Sequence, residues 1–391
     1  MESGTQGKRG EHVKIMLVAG DVAGDSCGAD LAKTILHRIP QARLFGMGGN
    51  LMKEAGVRLL FNPTTLNTLG LVEGVIAGQI MRRVLTRLGE VMERHRPDVV
   101  VLIDFPQFNL KLGQVAKSQG LPVLFYLGPA SWPNSRFRPP KVLEATDKVL
   151  SVFPFDGEPF RKGGVDVSFI GHPIVDKMSR PPSKAAIRKK LGIAEETVIN
   201  YCPGHRLEMV KKVLPLMVKA GQRLLEEKPE VRFLLPLAVN LRREDVLPLT
   251  LDLPTLKIVD GPLEEVLPAG DLTVCSCGSI SLVAAFLEQP LIAFYRAPTW
   301  SMGRFLKKRE GLCLPNYLAQ KPIVPELDLA DTTPEKLAAV MLELLDDQTR
   351  RAQMAQDLRQ VAATLGPPGA LDRVVDTILA LGAPVKQRGH G

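Results

Sequence analysis

Asp104 stands at the end of an uninterrupted apolar run, Val99-Val-Val-Leu-Ile103, and is followed by Phe105-Pro-Gln-Phe-Asn109. Such a run suits a strand covered on both faces, as in a parallel sheet. An ionised carboxylate is costly to bury, so a core strand does not end in one by accident. In open α/β sheets, ligands bind in the crevice beyond the carboxyl ends of the strands. Asp104 therefore has two readings: a carboxylate serving a site, or the N-cap of the helix that follows. Asn109 likewise either caps that helix or hydrogen-bonds a ligand.

A second set of residues suits phosphate. In Cys202-Pro-Gly204-His205-Arg206, Gly204 keeps the backbone clear and a helix starting near Arg206 offers free N–H groups. Arg206 adds a forked cation matched to a diphosphate, or else is a solvated first-turn side chain. Cys277-Gly278-Ser279-Ile-Ser281 repeats the geometry, with the Ser279 and Ser281 hydroxyls available to ribose or phosphate. Tyr295-Arg296 and Leu314-Pro-Asn316-Tyr317 follow later strands and are expected to line the same place.

Nearer the start, Gly20-Asp21-Val-Ala-Gly24-Asp25 is a glycine-bounded turn with an acid inside. It is either a place of close ligand approach or a plain βα turn. Trp132 and Arg136 belong to a stiff, basic, aromatic loop over 128–141. His172, in Gly171-His-Pro173, reads more readily as a structural hydrogen-bonder at a hinge than as a base. No HxH, HExxH or acidic cluster has metal-ligand spacing, so no metal is expected. GxSxG and Walker A patterns are absent.

These residues need strands and helices to hold them. Apolar runs over 13–19, 42–46, 57–61, 99–103, 122–126, 148–152 and 167–170 alternate with helical patterns, which predicts a doubly wound parallel sheet. The first turn leads into a helix from about 26 to 38, and a long helical stretch ends near His95. After a linker over 179–183 the pattern restarts, with strands over 198–202, 231–235, 256–259, 272–275 and 291–294 and three terminal helices. The expected organisation is a disordered tail (1–12), a Rossmann-like domain (13–175), a second one (176–365), and a C-terminal helix and tail (366–391), the two domains facing across a cleft.

The chain has 391 residues and is 45% hydrophobic, enough for two cores. Its net charge of +8 favours anionic partners. Nucleic acid is the weaker choice, because aromatics are only 5% and no long Lys/Arg block stands out. Five cysteines without a framework spacing argue for reduced thiols in a cytosol. With a polar N-terminus that lacks an apolar core, no signal peptide is expected. No apolar run reaches the ~18–20 residues of a membrane span.

Taken in order, several stretches resemble the bacterial lipid-A-disaccharide synthase family. Leu17-Val-Ala-Gly20-Asp-Val-Ala-Gly24-Asp25 is similar to its LVAGExSGD start, and Leu69-Gly-Leu-Val-Glu73 to its MGxxE segment. Ile103-Asp104-Phe-Pro-Gln-Phe-Asn109 resembles IDxPDFN, and Tyr126-Leu-Gly-Pro-Ala-Ser-Trp132 resembles YxSPSxWAW in part. Phe169-Ile-Gly171-His172-Pro173 matches FIGHP, Pro203-Gly204-His205-Arg206 resembles PGSR, and Leu314-Pro-Asn316 matches LPN. The resemblance runs from about residue 13 to 325 and implies the glycosyltransferase-B fold.

It further implies an inverting, metal-independent transferase without a cofactor. Such an enzyme joins UDP-2,3-diacylglucosamine to 2,3-diacylglucosamine 1-phosphate and releases UDP. Asp104 falls on the family's essential carboxylate, Glu73 on the acid of MGxxE, and Arg206 on the donor-side arginine. Partners are then a UDP-sugar, an acylated glucosamine phosphate and an anionic membrane surface touched peripherally from the cytoplasm, with a homodimer open. Two stretches combine apolar and basic residues for that surface: Val75–Leu88 and Trp300–Arg309.

The chain also departs from the pattern. The glutamate of the family's Gly-Thr-Ala-Ala-Leu-Glu segment is Val283, the serine of GSR is His205, and the second acid of IDxPDFN is Gln107. Alternatives are a divergent glycosyltransferase-B member or UDP-sugar epimerase with another acceptor, or an inactive sugar-nucleotide or lipid binder.

Overall fold

The computed structural model describes residues 13–63, 74–128, 139–155, 157–178, 182–295 and 313–383. The chain divides into two compact units. Unit 1 is Met1–Asp176 with Gly366–Gly391, and unit 2 is Lys177–Leu365.

Unit 1 holds seven strands: β1 (Lys14–Ala19), β2 (Arg43–Met47), β3 (Arg58–Phe61), β4 (Val99–Ile103), β5 (Val123–Tyr126), β6 (Lys148–Ser151) and β7 (Val167–Phe169). They lie in the order β3-β2-β1-β4-β5-β6-β7, and every pair is parallel. The unbroken apolar runs follow from burial on both faces. Ile15, Leu17 and Ala19 of β1 enter one core together with Val99, Val101 and Ile103 of β4. Met16 and Val18 enter the opposite core with Val100 and Leu102.

The first core is closed by the last helix of the chain, Ala370–Gly382, through Val374, Val375 and Ile378. Its N-terminus is capped by Asp176, which accepts from the N–H groups of Gly369 (2.5 Å) and Ala370 (3.0 Å). Arg38 pairs with Asp376 at 2.7 Å on the same helix. The segment expected to stand as a separate helix and tail is thus part of unit 1 wherever it is described.

Two helix starts shape the turns that leave β1 and β4. The first, Val22–Arg38, starts directly after Asp21 rather than near residue 26. The second, Pro106–Ser118, starts immediately beyond Phe105, with proline in its first turn.

Unit 2 contains β8 (Val198–Cys202), β9 (Arg232–Leu237), β10 (Leu256–Asp260), β11 (Leu272–Ser276), β12 (Leu291–Tyr295) and β13 (Glu326–Asp328), in the order β10-β9-β8-β11-β12-β13. All its pairings are parallel as well. Strand β13 is three residues of largely polar character and carries no apolar run to reveal it. Helix Lys184–Leu191, between the linker and β8, is capped by Ser183 and ended by Gly192 at φ 70°, and buries only Ile187. Helix Leu207–Glu227 follows β8 and is the longest of this unit among the described residues.

Candidate functional site

In unit 1 the strand order reverses between β1 and β4, which are neighbours with Ala19 opposite Ile103. The turns leaving them, Gly20-Asp21 and Asp104-Phe105, therefore emerge side by side at the switch point, where open α/β sheets bind ligands. Asp104 does not cap the following helix. The N-cap position is Phe105, and no side chain bonds there. Asp104 and Phe105 instead both adopt left-handed backbone, at φ 48° and 47°. Each such non-glycine residue costs roughly 1–3 kcal/mol, and strain of this kind gathers at functional sites.

The strain is held in place from several sides. The Asp104 N–H donates to the Tyr126 carbonyl at 3.2 Å. The Asn109 amide donates to the carbonyls of Asp104 (2.6 Å), Ile103 (3.2 Å) and Val18 (3.3 Å). Burial raises the Asp104 carboxyl to about 6, the nearby Asp21 charge adds to this, and the Phe105 N–H opposes it. A carboxylate with that value is ionised at neutral pH yet basic enough to take a proton. Asp21 is fixed by its own bond from the Gly24 N–H, at 2.7 Å.

Beside Asp104 lies a groove of about 650 Å³ whose walls include Met81, Leu85, Phe105 and Phe108, with Arg82 and Lys111 among its lining. Sequence reasoning singled out Met81, Arg82 and Leu85, within Val75–Leu88, as part of a lipid-facing stretch, but missed that Phe105, Phe108 and Lys111 share a groove with them. The signal was available: Phe105, Phe108 and Lys111 recur at intervals of three around the helix start, placing them on one side of it.

Several expected site residues have structural work instead. Asp25 is 4% exposed. Its carboxylate accepts from the backbone N–H groups of Gly49 (2.7 Å), Met52 (3.0 Å) and Leu51 (3.1 Å), so it holds the start of helix Asn50–Glu54 rather than lining a cleft. Gly24 lies inside the first helix, where an added Cβ would come 3.3 Å from that of Ala19; it permits close helix–strand packing. Asn109 is fully buried and bonds only backbone through its amide. His172 accepts the Ile174 N–H through Nδ1 at 3.1 Å and lies against Phe153, a role in its own turn. Glu73, Trp132, Arg136 and Arg296 lie outside the described residues, as do 300–309 and the side chains of Val75 and Ile76.

Unit 2 has its own switch point, between β8 and β11, with Cys202 opposite Cys275. Both phosphate candidates leave from it. Gly204 sits at φ 120°, and a Cβ on it would lie 3.3 Å from the Ser276 Oγ, so the two turns are neighbours. Arg206 is the N-cap residue of helix Leu207–Glu227 and is exposed; its carbonyl accepts from the Met209 and Val210 N–H groups, while its guanidinium makes no hydrogen bond or ion pair with a described residue. His205 is exposed, and its carbonyl accepts from the Asn240 amide at 2.7 Å. Gly278, at φ 147°, precedes helix Ser279–Phe286, and a Cβ there would meet nothing within 4 Å. That open space and the exposed Ser279 leave room for an anion at a helix N-terminus. Tyr295 ends β12, and its half-buried setting pushes the phenol up.

Two members of this group face inward. The Ser281 hydroxyl is buried and donates to the Gly278 carbonyl at 2.7 Å. Asn316 is 2% exposed. Its amide donates to Val324 O and Glu326 Oε1, and its carbonyl accepts from Ile323 and Val324, so it ties helix Leu314–Ala319 to β13. Val283 is buried. Glu288 is no substitute acid, because Arg359 holds its carboxylate.

Two Rossmann-like sheets, each with glycine turns or a carboxylate at its switch point, define an α/β protein of the glycosyltransferase-B type. Solved structures of like fold include the S. aureus MnaA-UDP co-structure, with a TM-score of 0.64 at 15% identity over 94% of this chain and 96% of that one. MurG of Acinetobacter baumannii gives a TM-score of 0.54 at 16% identity over 95% and 99%. The family model described as Lipid-A-disaccharide synthetase matches residues 15–369. A lipid-A-disaccharide synthase of Myxococcus xanthus (strain DK1622) is 32% identical over 95% of this chain and 98% of its own length. One of Syntrophus aciditrophicus (strain SB) is 34% identical over 94% and 97%. The chain belongs to the lipid-A-disaccharide synthetase family, and it is a glycosyltransferase.

Proposed function

We propose that the chain transfers 2,3-diacylglucosamine from its UDP derivative to 2,3-diacylglucosamine 1-phosphate, with inversion, release of UDP and no metal. The observation that carries this reading is Asp104: a strained, partly buried carboxylate at a switch point, with a carboxyl raised to about 6. In the proposed reaction an acceptor hydroxyl gives its proton to Asp104. Its oxygen forms a bond to the anomeric carbon on the face opposite the nucleotide. The bond from that carbon to the diphosphate oxygen breaks, and the electron pair leaves with UDP. Arg206 and the free N–H groups beyond Gly204 and Gly278 receive the growing negative charge.

The groove with Met81, Leu85, Phe105 and Phe108 suits an acyl chain, and Arg82 and Lys111 suit the acceptor phosphate or an anionic lipid surface. The proposed place of action is the inner face of the cytoplasmic membrane, reached peripherally. Among the described residues no helix is long and apolar enough to cross a membrane.

Mixing the full chain with donor and acceptor tests the reading. Equimolar UDP and β-linked disaccharide are expected. Absence of product, or epimerised donor without transfer, would overturn it.

A further inference from the structure

Asn109 stands in the first turn of helix Pro106–Ser118, is fully buried, and reaches back to both strands of the unit 1 switch point. Its Nδ2 donates to the carbonyls of Val18 in β1 (3.3 Å), Ile103 in β4 (3.2 Å) and Asp104 (2.6 Å). An amide nitrogen carries two hydrogens, so the three carbonyls share them, and the shortest contact goes to Asp104. The backbone N–H of Asn109 donates to the Phe105 carbonyl at 3.1 Å. The Oδ1 of the same side chain is buried and accepts from no described residue. A leucine here would fill about the same space and leave no bare acceptor. Packing alone therefore does not call for asparagine; the donor does.

The Asp104 carbonyl belongs to the peptide between Asp104 and Phe105, the two residues with left-handed backbone, at φ 48° and 47°. Its direction is set by ψ of Asp104 and passes into φ of Phe105, so fixing it fixes the turn. The extended backbone that side chains prefer would swing this carbonyl away from Nδ2. The other hold on the turn, from the Asp104 N–H to the Tyr126 carbonyl at 3.2 Å, fixes the peptide before Asp104 and leaves ψ free. We infer that Asn109 is a positioning residue for the transfer: by tying the Asp104 carbonyl to the ends of β1 and β4, its amide keeps the turn left-handed and the Asp104 carboxylate at the switch point. Asn109 touches no reacting atom and acts through Asp104, so the inference rests on the reading of Asp104 as the base.

Asn109→Leu keeps the size of the side chain and removes the donor. In the full chain, UDP release from donor and acceptor is expected to fall at least tenfold in kcat, with both KM values and calorimetric UDP affinity within about twofold of wild type. The inflection expected near about 6 in the wild-type pH profile should move toward the ordinary carboxylate range, because the freed carboxyl turns to water. Asn109→Ser, whose shorter hydroxyl still donates, serves if the leucine variant does not fold, with a smaller loss and a smaller shift. Carboxyl NMR, with the Asp104 resonance assigned by its absence in Asp104→Asn, reads the same shift without turnover. Wild-type turnover in Asn109→Leu would overturn the inference. So would a fall in turnover and denaturation midpoint while Asp104 still titrates near about 6, the mark of a merely structural role. If the wild type releases no UDP while the Asn109 substitution moves the Asp104 titration, the transferase reading is what has failed and the hold on Asp104 stands.

Discussion

The ring of Phe105 occupies the space that a side chain on Gly20 would fill: a Cβ there would stand 2.0 Å from the ring Cδ1. This contact joins the two switch-point turns of unit 1, and Phe105 can lie there only because its backbone and that of Asp104 are left-handed. Gly20→Ala is expected to push the ring away and move the Asp104 carboxylate with it. A misplacement of about 1 Å can cost on the order of a hundredfold in rate. Turnover reduced by at least tenfold, in a protein whose circular dichroism is unchanged, is the expected result. Wild-type turnover would show that the contact does not position Asp104.

Asp104 should also weaken the fold. Its carboxyl is raised from the ordinary 3.8 to about 6, so the folded state binds the proton more tightly than the unfolded chain does. Stability therefore falls as pH rises between those two values, and the loss is complete above about 6. The difference corresponds to on the order of 2–3 kcal/mol. Asp104→Asn removes the buried charge and is expected to raise the denaturation midpoint at pH 7.5, with a smaller gain at pH 5. A variant less stable than wild type at both pH values would contradict the burial argument.

At the proposed donor turns, the Arg206 guanidinium bonds no described residue, and by the family resemblance Val283 takes the place of an acid. Losing one charged hydrogen bond to the nucleotide costs roughly 1.5–3 kcal/mol, or about ten- to a hundredfold in affinity. Calorimetric titration of UDP should show saturable binding that Arg206→Ala weakens by at least tenfold and that Val283→Glu strengthens. GDP should bind less tightly than UDP. Binding indifferent to Arg206 would remove the turn from the donor site.

Vesicle flotation addresses the surface that Arg82, Lys111 and the apolar groove present. Each basic residue near an anionic bilayer contributes ~1 kcal/mol, screened by salt. Binding to anionic vesicles should fade as salt rises, and Arg82→Ala with Lys111→Ala should reduce it several-fold. Association independent of lipid charge would point to a different contact.

The central strands were legible because burial on two faces leaves a mark in one dimension. Val99–Ile103 and Val198–Cys202 read as core strands from their residues alone, and the structure places them so. The switch-point positions of Asp104, Gly204 and Gly278 were legible for a related reason: each comes within two residues of the end of such a strand. Asp25 and Asn316 were misread because their partners are distant in the chain or carry no pattern. Asp25 meets Gly49 and Met52 only once the second helix docks, and Asn316 meets a three-residue strand. A polar residue within a glycine-rich or family motif looks like a ligand contact until its backbone partners are in view. The membership of helix Ala370–Gly382 in unit 1 was hidden in the same way, because Val374 and Ile378 show an apolar face but not which core receives it.

The account stands most directly on the turnover of Asp104→Asn, measured as UDP release from donor and acceptor between about pH 5 and about 9. In the wild type, kcat/KM should rise through a single ionisation near about 6 and then level, as Asp104 loses its proton. The variant keeps the size of the side chain but cannot accept a proton. It should be slower by ~10²-fold or more and show no inflection near that pH. Near-normal turnover in the variant, or a wild-type profile flat through that region, would contradict Asp104 as the base.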